Sequence, residues 1–138
     1  MFQLDFDPTQ LSYAALLDEI WANRRGGRSY GKQYMEAVFC ADATQERTAR
    51  DRGITAPIIT GAPFHLAEDY HQKYYLRHDT ALMRELAGYT PAQLVDSTVA
   101  ARLNGCAGGG RLRREDLDQL GLSAEAREHL ERLVRRRA

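Results

Sequence analysis

Several residue classes are scarce in this sequence of 138 residues, and each scarcity excludes a class of protein. The only two cysteines are Cys40 and Cys106, so a secreted scaffold held by several disulfides is excluded. Their spacing fits no zinc motif, and no metal site is predicted. Apolar runs stay well below the ~20 residues of a membrane span, and MFQLD lacks the features of a signal peptide. We therefore expect a cytoplasmic protein with reduced thiols and no membrane partner.

Net charge is also absent, because 19 Lys and Arg residues balance 19 Asp and Glu residues. This balance argues against nucleic acid as a partner. Hydrophobic residues make up 43% of the chain, which is enough for a buried core at this length. We therefore predict a single domain over residues 1–138.

Apolar alternation predicts short strands in the first half of the chain. The period of two over residues 2–6 is typical of a half-buried strand. A second strand is predicted over 33–41, where Tyr34 and Cys40 would point to the same face. The apolar pair at 58–59 predicts a third.

Helical patterns are interspersed with these strands and continue to the end of the chain. An apolar stripe over 13–21 predicts a helix with Ser12 as its N-cap. Capping patterns predict further helices, which begin after Asp42, Thr90 and Ser123, and another helix is predicted over Ser97 to Leu103. The glycine run at 105–110 predicts a flexible coil. Beyond residue 75 the chain turns into short helices, and we predict an α+β fold.

One stretch, residues 61–75, concentrates polar and aromatic side chains and reads GAPFHLAEDYHQKYY. We expect Glu68 and Asp69 in the first turn of a helix, where carboxylates complement the helix dipole. His71 follows Glu68 by three residues, so a contact between the two is sterically reasonable on a helix. A structural role at a helix start is by itself a sufficient reason for these residues.

This stretch resembles the segment of A-type peptide methionine sulfoxide reductases in which a strand leads through Pro-Phe into a helix that opens with Ala-Glu-Asp-x-His-Gln. Other parts of the chain resemble the same family in the same order, namely DFDPTQLSYAALLDEIW, GKQYMEAVF and STVAARLNG. The resemblance implies a partial ferredoxin-like α/β sandwich, a mixed sheet with flanking helices, over residues 1–78. A helical C-terminal extension over 79–138 would follow it.

The resemblance also implies a reaction, the thiol-dependent reduction of the S-epimer of methionine sulfoxide in proteins, which repairs oxidative damage. A thiolate attacks the sulfoxide sulfur while a carboxylic acid protonates the departing oxygen, which yields methionine and a cysteine sulfenic acid. A second thiol then converts the sulfenic acid to a disulfide with loss of water. Thioredoxin or another dithiol reduces that disulfide, so no bound cofactor is expected.

Site residues follow from the resemblance in the same way. Tyr34 falls on one of the family's substrate-contacting tyrosines, although an ordinary strand tyrosine remains an equal interpretation. Ser29 stands where many members place an aspartate, so the substrate contact there is altered. Glu68, Asp69 and His71 are interpreted as residues that support the active site from beside it, without reacting themselves.

The sequence departs from the family at the reacting thiol. The family's Gly-Cys-Phe-Trp nucleophile motif and its Gly-His-x-Glu segment, which supplies the acid, do not occur in this sequence. Cys106 follows Gly105, but Ala107 and Gly108 come next in place of Phe-Trp. We interpret Cys106 as a candidate resolving thiol or as an incidental small residue, and Cys40 as a buried small hydrophobe.

Three hypotheses for function remain open. In the first, the protein is a reductase whose thiol segment is supplied by a separately encoded chain or by residues encoded upstream. In the second, it is a non-catalytic module that binds methionine sulfoxide or a methionine-bearing peptide. In the third, it is a truncated gene product. Under each of them, the chain alone is expected to show no turnover.

Overall fold

The computed structural model describes residues 2–24, 35–110 and 113–136. The chain divides into two compact units, Met1–His65 and Leu66–Ala138. Each unit has a hydrophobic core of its own. The prediction of a single domain, divided near residue 78 into a core and an extension, stays a prediction.

The first unit alternates helices and short strands. Its elements are α1 (Tyr13–Asn23), β1 (Val38–Cys40), α2 (Ala43–Asp51) and β2 (Ile58–Thr60). The two strands pair in parallel, with Val38 opposite Ile58 and Cys40 opposite Thr60. Helix α2 is the crossover between them, as a parallel pair requires a connection of this kind. The core is formed by Leu17, Val38, Cys40 and Ala49, with Tyr13, Trp21, Ile54 and Ile58 packed against it.

Side-chain caps fix where the helices of this unit begin. The Ser12 hydroxyl accepts a hydrogen bond from the Ala15 N–H at 3.2 Å, which confirms the predicted start of α1. Asp42 accepts from the N–H groups of Thr44 and Gln45, both at 2.8 Å, and so starts α2. In a capping box, the side chain of Gln45 would accept a hydrogen bond from the N–H of the cap residue, Asp42. Here Gln45 Oε1 accepts instead from the N–H of the preceding residue, Ala41, at 3.0 Å.

The strand predicted over residues 2–6 is wrong. These residues have no regular secondary structure, and Phe2 and Leu4 are 71% and 51% exposed. A strand needs a neighbour for its backbone groups, and no described residue pairs with this segment. Alternation alone therefore did not suffice to form a strand here.

Residues 33 and 34 of the strand predicted over 33–41 lie outside the described residues. Within 35–41 the strand is shorter than expected, since β1 covers only Val38–Cys40. Within it, Val38 and Cys40 are buried, whereas Phe39 is exposed. Met35 is exposed as well. The side of this run that carries Met35 and Phe39 thus faces solvent, while Val38 and Cys40 face the core.

The second unit is helical. Its elements are α3 (Tyr74–Arg77), α4 (Thr80–Glu85), α5 (Pro91–Asp96), α6 (Thr98–Ala107), α7 (Arg114–Asp118) and α8 (Ala124–Arg136). Leu76, Leu82, Leu103 and Leu130 are its fully buried centre, each from a different helix. The predicted capping box at Thr90 and the predicted cap at Ser123 are confirmed. A small parallel sheet with flanking helices, followed by helices, confirms the α+β class.

The glycine coil predicted from residue 105 is wrong at its start, because α6 continues to Ala107 and includes Gly105 and Cys106. Leu103, Cys106 and Ala107 are all buried in the core of the second unit. Burial of these side chains outweighs the ~1 kcal/mol that a glycine costs inside a helix.

Candidate functional site

The polar half of the 61–75 stretch is built from turns and is not helical. The His71 N–H donates to the Glu68 carbonyl at 2.8 Å, and the Gln72 N–H donates to the Asp69 carbonyl at 3.2 Å. Lys73 then adopts a left-handed backbone conformation with φ of 53°, and helix α3 begins only after it. The predicted helix opening at Glu68 and Asp69 is therefore wrong.

The physical reason lies in burial. Every residue from Gly61 to His71 is exposed, so no contact with a core stabilises a helix there. Gln72 holds the turn together instead, since its side-chain amide donates to the Ala67 carbonyl at 3.0 Å. A second hydrogen bond stabilises the turn, because Arg77 Nε donates to the Gln72 carbonyl at 2.7 Å.

Glu68 and His71 do come near each other, but loosely. Glu68 Oε2 and His71 Nε2 are 3.9 Å apart, and both side chains are more than half exposed, at 68% and 56%. An exposed pair at this distance contributes little to stability. The two side chains remain accessible to a ligand or to another polypeptide segment.

Aromatic rings line the same segment. The rings of Tyr70 and His71 are 4.2 Å apart between centroids, those of Tyr74 and His78 are 4.3 Å apart, and Tyr75 meets Tyr74 edge-on at 5.6 Å. All three tyrosines are at least half exposed. An exposed set of rings of this kind suits contact with apolar or sulfur-bearing groups.

Helix α6 anchors the end of this segment. The Asn104 side-chain oxygen accepts from the Leu76 N–H at 3.2 Å, which satisfies a backbone donor in the first turn of α3. Gly108 packs under the Tyr75 ring so closely that a Cβ there would lie 2.9 Å from Tyr75 Cδ2. Neither residue was singled out from the sequence. The polar Asn104, next to the apolar Leu103, was the signal that could have found it.

Cys40 is buried in the first unit, where its side chain belongs to the core. Its Sγ lies 3.7 Å from the Tyr13 hydroxyl. Burial and then the contact with Cys40 raise the pKa of Tyr13 well above its usual range, so the phenol stays protonated. These contacts are those of a packed core, in line with the prediction of a small buried hydrophobe.

Cys106 is buried in the second unit and is 3% exposed. Burial raises the pKa of the Cys106 thiol, which favours the protonated and less reactive form. The candidate resolving thiol thus lies on the inner face of α6, away from solvent.

Two candidate substrate contacts, Tyr34 and Ser29, lie outside the described residues. Among the described residues, no group of three or more His, Cys, Asp or Glu side chains is arranged to hold a metal ion. The described helices also include none that is long and apolar enough to cross a membrane.

Comparison with known proteins decides the family. The family model described as peptide methionine sulfoxide reductase matches residues 1–102. The chain belongs to this family. Its A-type branch is indicated by relatives that carry the name MsrA.

Individual relatives show how far the likeness extends. The MsrA of Chromobacterium violaceum is 37% identical over 94 residues, which cover 55% of this chain and 53% of that protein. The peptide methionine sulfoxide reductase of Drosophila melanogaster is 31% identical over 145 residues, which cover 94% of this chain and 58% of that protein. The chain thus spans about half the length of the curated relatives that it matches. The Drosophila match reaches beyond residue 102 and into the C-terminal helices.

Proposed function

We propose that this protein takes part in the thiol-dependent reduction of methionine sulfoxide in proteins, with a nucleophilic thiol supplied from outside these 138 residues. The match of residues 1–102 to the family carries this proposal. The relatives are named as peptide methionine sulfoxide reductases, and the reaction of the family is transferred from them. The role would be repair of oxidatively damaged proteins in the cytoplasm.

The burial of both thiols supports the second half of the proposal. Cys40 and Cys106 are the only cysteines of the sequence, and they are 5% and 3% exposed. A thiol that attacks a sulfoxide must reach the substrate as a thiolate, and a buried thiol does not reach it. Burial also raises the pKa of the Cys106 thiol, which disfavours its thiolate. The reductant would be thioredoxin or another dithiol, acting on the supplied thiol.

In this proposal the exposed turn of the second unit serves as the support of the active site. Glu68, Asp69 and His71 are accessible for hydrogen bonds to a neighbouring segment or to the substrate. Tyr34 and Ser29 are the proposed substrate contacts by family resemblance. The burial of Cys106 weighs against its proposed role as a resolving thiol.

A fusion protein tests the proposal. The part of the Drosophila relative that lies outside the matched region would be joined to this chain and assayed with dithiothreitol and a peptide that contains the S-epimer of methionine sulfoxide. We expect methionine to form with the fusion and not with the chain alone. Turnover by the chain alone that disappears in a Cys106→Ser variant would contradict the proposal.

A second candidate function, binding of methionine sulfoxide without reduction, is favoured by the exposed rings of Tyr70, Tyr74 and Tyr75. It predicts saturable binding of the sulfoxide peptide to the chain alone and an inactive fusion. Binding and turnover are measured separately, so the two functions can be told apart.

A further inference from the structure

Helix α3 begins without a capping side chain of its own. Its N-cap residue is Lys73, whose ammonium group can donate hydrogen bonds but not accept them, and its side chain does not cap the helix. The N–H that an N-cap side chain would ordinarily satisfy, three residues further on, is that of Leu76. This N–H donates instead to the Asn104 side-chain oxygen at 3.2 Å. Helix α6 thus supplies the cap of α3 from 28 residues further along the chain.

This cap bears on the strained residue that precedes α3. Lys73 has a φ of 53°, and among the described residues it is the only non-glycine residue with a positive φ. A strained conformation of this kind persists only where the surrounding structure holds it. The Lys73 carbonyl accepts from the Arg77 N–H at 3.0 Å, which closes the first turn of α3. Asn104 holds the same turn against α6 through its bond to Leu76.

Side-chain hydrogen bonds continue from α3 into the exposed turn. Arg77 Nε donates to the Gln72 carbonyl at 2.7 Å, and the Gln72 side-chain amide donates to the Ala67 carbonyl at 3.0 Å. These two bonds enclose residues 68–71, which include the candidate site residues and are all exposed. Without a core contact of its own, this turn depends on the position of α3, and the position of α3 depends on Asn104.

A glycine sets how closely α3 approaches α6. A Cβ on Gly108 would lie 2.9 Å from Tyr75 Cδ2 and 3.3 Å from the Asn104 carbonyl oxygen. The φ of Gly108 is −78°, which alanine also adopts, so the restriction is one of space. The Tyr75 ring meets the Tyr74 ring edge-on at 5.6 Å, so a displaced Tyr75 would disturb that contact as well.

We propose that Asn104 and Gly108 are positioning residues of the site. They fix α3 against α6 and thereby set the conformation of the turn that carries Glu68, Asp69 and His71. Their effect on the turn follows from the contacts above, whereas their effect on the reaction rests on the proposed function.

Both residues lie outside the part of the chain that the family model matches, since that match ends at residue 102. The match to the Drosophila relative covers 94% of the chain and extends into the C-terminal helices. In this proposal α6 is part of the site as well as part of the core of the second unit.

Two variants of Asn104 test the proposal in the 15N-labelled chain. Asn104→Leu removes the acceptor at a similar volume, whereas Asn104→Asp keeps an acceptor and is an equally good cap. We expect Asn104→Leu to speed hydrogen exchange of the Leu76 N–H by about tenfold or more and to shift the amide resonances of His71 and Gln72. Asn104→Asp should retain the original exchange rate and resonances.

The Leu130 N–H, inside α8, separates positioning from a general loss of stability. If Asn104→Leu only destabilises the protein, exchange of Leu76 and Leu130 will speed up by the same factor. The proposal predicts a larger factor at Leu76. Equal factors, or unchanged His71 and Gln72 resonances in Asn104→Leu, would overturn it.

Two glycines of this region provide a matched pair of alanine variants. A Cβ on Gly108 meets the Tyr75 ring, whereas a Cβ on Gly105 meets nothing within 4 Å. We expect Gly108→Ala to shift the His71 and Gln72 resonances and Gly105→Ala to leave them in place. Equal shifts in the two variants would contradict the role of Gly108.

The fusion protein described above tests the effect on the reaction. We expect Asn104→Leu to lower kcat by about tenfold and to change KM by less than about twofold, because the proposed substrate contacts are not altered. Asn104→Asp should retain most of the activity. An active fusion whose kcat is insensitive to Asn104→Leu would overturn the catalytic role. An inactive fusion would count against the proposed function, while the predicted changes in exchange and resonances would still support the positioning of the turn, so the two can fail separately.

Discussion

At the scale of single residues, polar contacts of the second unit converge on the start of α4. Asp79 caps this helix by accepting from the Leu82 N–H at 3.1 Å, and it also accepts from His129 Nε2 at 2.8 Å. Burial acts to raise the pKa of Asp79, but the hydrogen bonds from His129 and Leu82 outweigh it, so this pKa lies below its ordinary value of 3.8. One carboxylate thus joins α4 to α8.

The lowered pKa of Asp79 predicts a pH-dependent stability. A carboxyl with a lower pKa in the folded state favours folding above its unfolded pKa, and this contribution is lost as the pH falls through the folded pKa. We expect Asp79→Asn to cost about 1.5 kcal/mol at pH 5, because Asn can still cap the helix but loses the charged contact. The cost should shrink as the pH falls below about 4, measured by urea unfolding.

Asp96→Asn is the control for this experiment, since Asp96 is an exposed aspartate of the same unit. The free energy of unfolding of the Asp96→Asn variant should stay close to that of the unchanged protein at pH 5 and at pH 3. A cost of Asp79→Asn that is the same at pH 5 and pH 3 would contradict the prediction.

Alanine substitutions at Gly110 and Gly105 are predicted to have opposite effects on stability. A Cβ on Gly110 would lie 2.8 Å from the Gly105 carbonyl oxygen, a backbone atom that cannot easily move. A Cβ on Gly105, inside α6, meets nothing within 4 Å. We expect Gly110→Ala to destabilise the protein by about 1–3 kcal/mol and Gly105→Ala to stabilise it by about 0.5–1 kcal/mol. Thermal unfolding of the two variants measures both, and equal effects would contradict the packing around Gly110.

At the scale of elements, the starts of the capped helices could be predicted from the sequence, whereas the strands could be predicted only in part. The strand predicted at 58–59 is observed as Ile58–Thr60, but the one predicted over 2–6 is not. Ser12, Thr90 and Ser123 cap their helices through local contacts that a short sequence window already contains. The segment 2–6 depended on a partner strand, which no local pattern reports. The extent of α6 depended on the core of the second unit, and so did the anchoring role of Asn104.

Ser123 and Glu85, which meet at the start of α8, are predicted to contribute to stability together. Glu85 accepts from both the N–H and the hydroxyl of Ser123, each at 2.8 Å, while the same hydroxyl accepts from the Ala126 N–H. We expect Ser123→Ala to cost about 1 kcal/mol. In a double-mutant cycle with Glu85→Ala, the cost of the double variant should differ from the sum of the two single costs by at least about 0.5 kcal/mol. Simple additivity would show that the contact does not hold α8.

At the scale of the whole molecule, the chain has two cores, one on each side of residue 65. Among the described residues, the twelve buried residues of the larger core all lie in the helical unit, between Leu76 and Leu130. The candidate site residues Glu68, Asp69 and His71 belong to this unit, so its stability bears on the site. Sequence patterns identified the family and the class of fold, but the role of each site residue stays a prediction.

The self-contained core predicts that the fragment 66–138 folds without the first unit. We expect a helical circular dichroism spectrum and a cooperative thermal transition. Leu130→Ala should destabilise the fragment by about 2–5 kcal/mol, because Leu130 is fully buried. Val95→Ala, at a partly buried position, is the control and should destabilise the fragment less than Leu130→Ala. A fragment without cooperative unfolding would contradict the independence of this core.

Thiol accessibility tests the central claim most directly, namely that neither cysteine of this chain is the reacting thiol of a reductase. The native chain would be treated with 5,5′-dithiobis(2-nitrobenzoate) at pH 8, and the same chain would be treated after unfolding in guanidinium chloride. We predict very slow reaction of the native chain and rapid reaction of both cysteines after unfolding. A native thiol, at Cys40 or Cys106, that reacts as fast as a free thiol in solution would contradict the account.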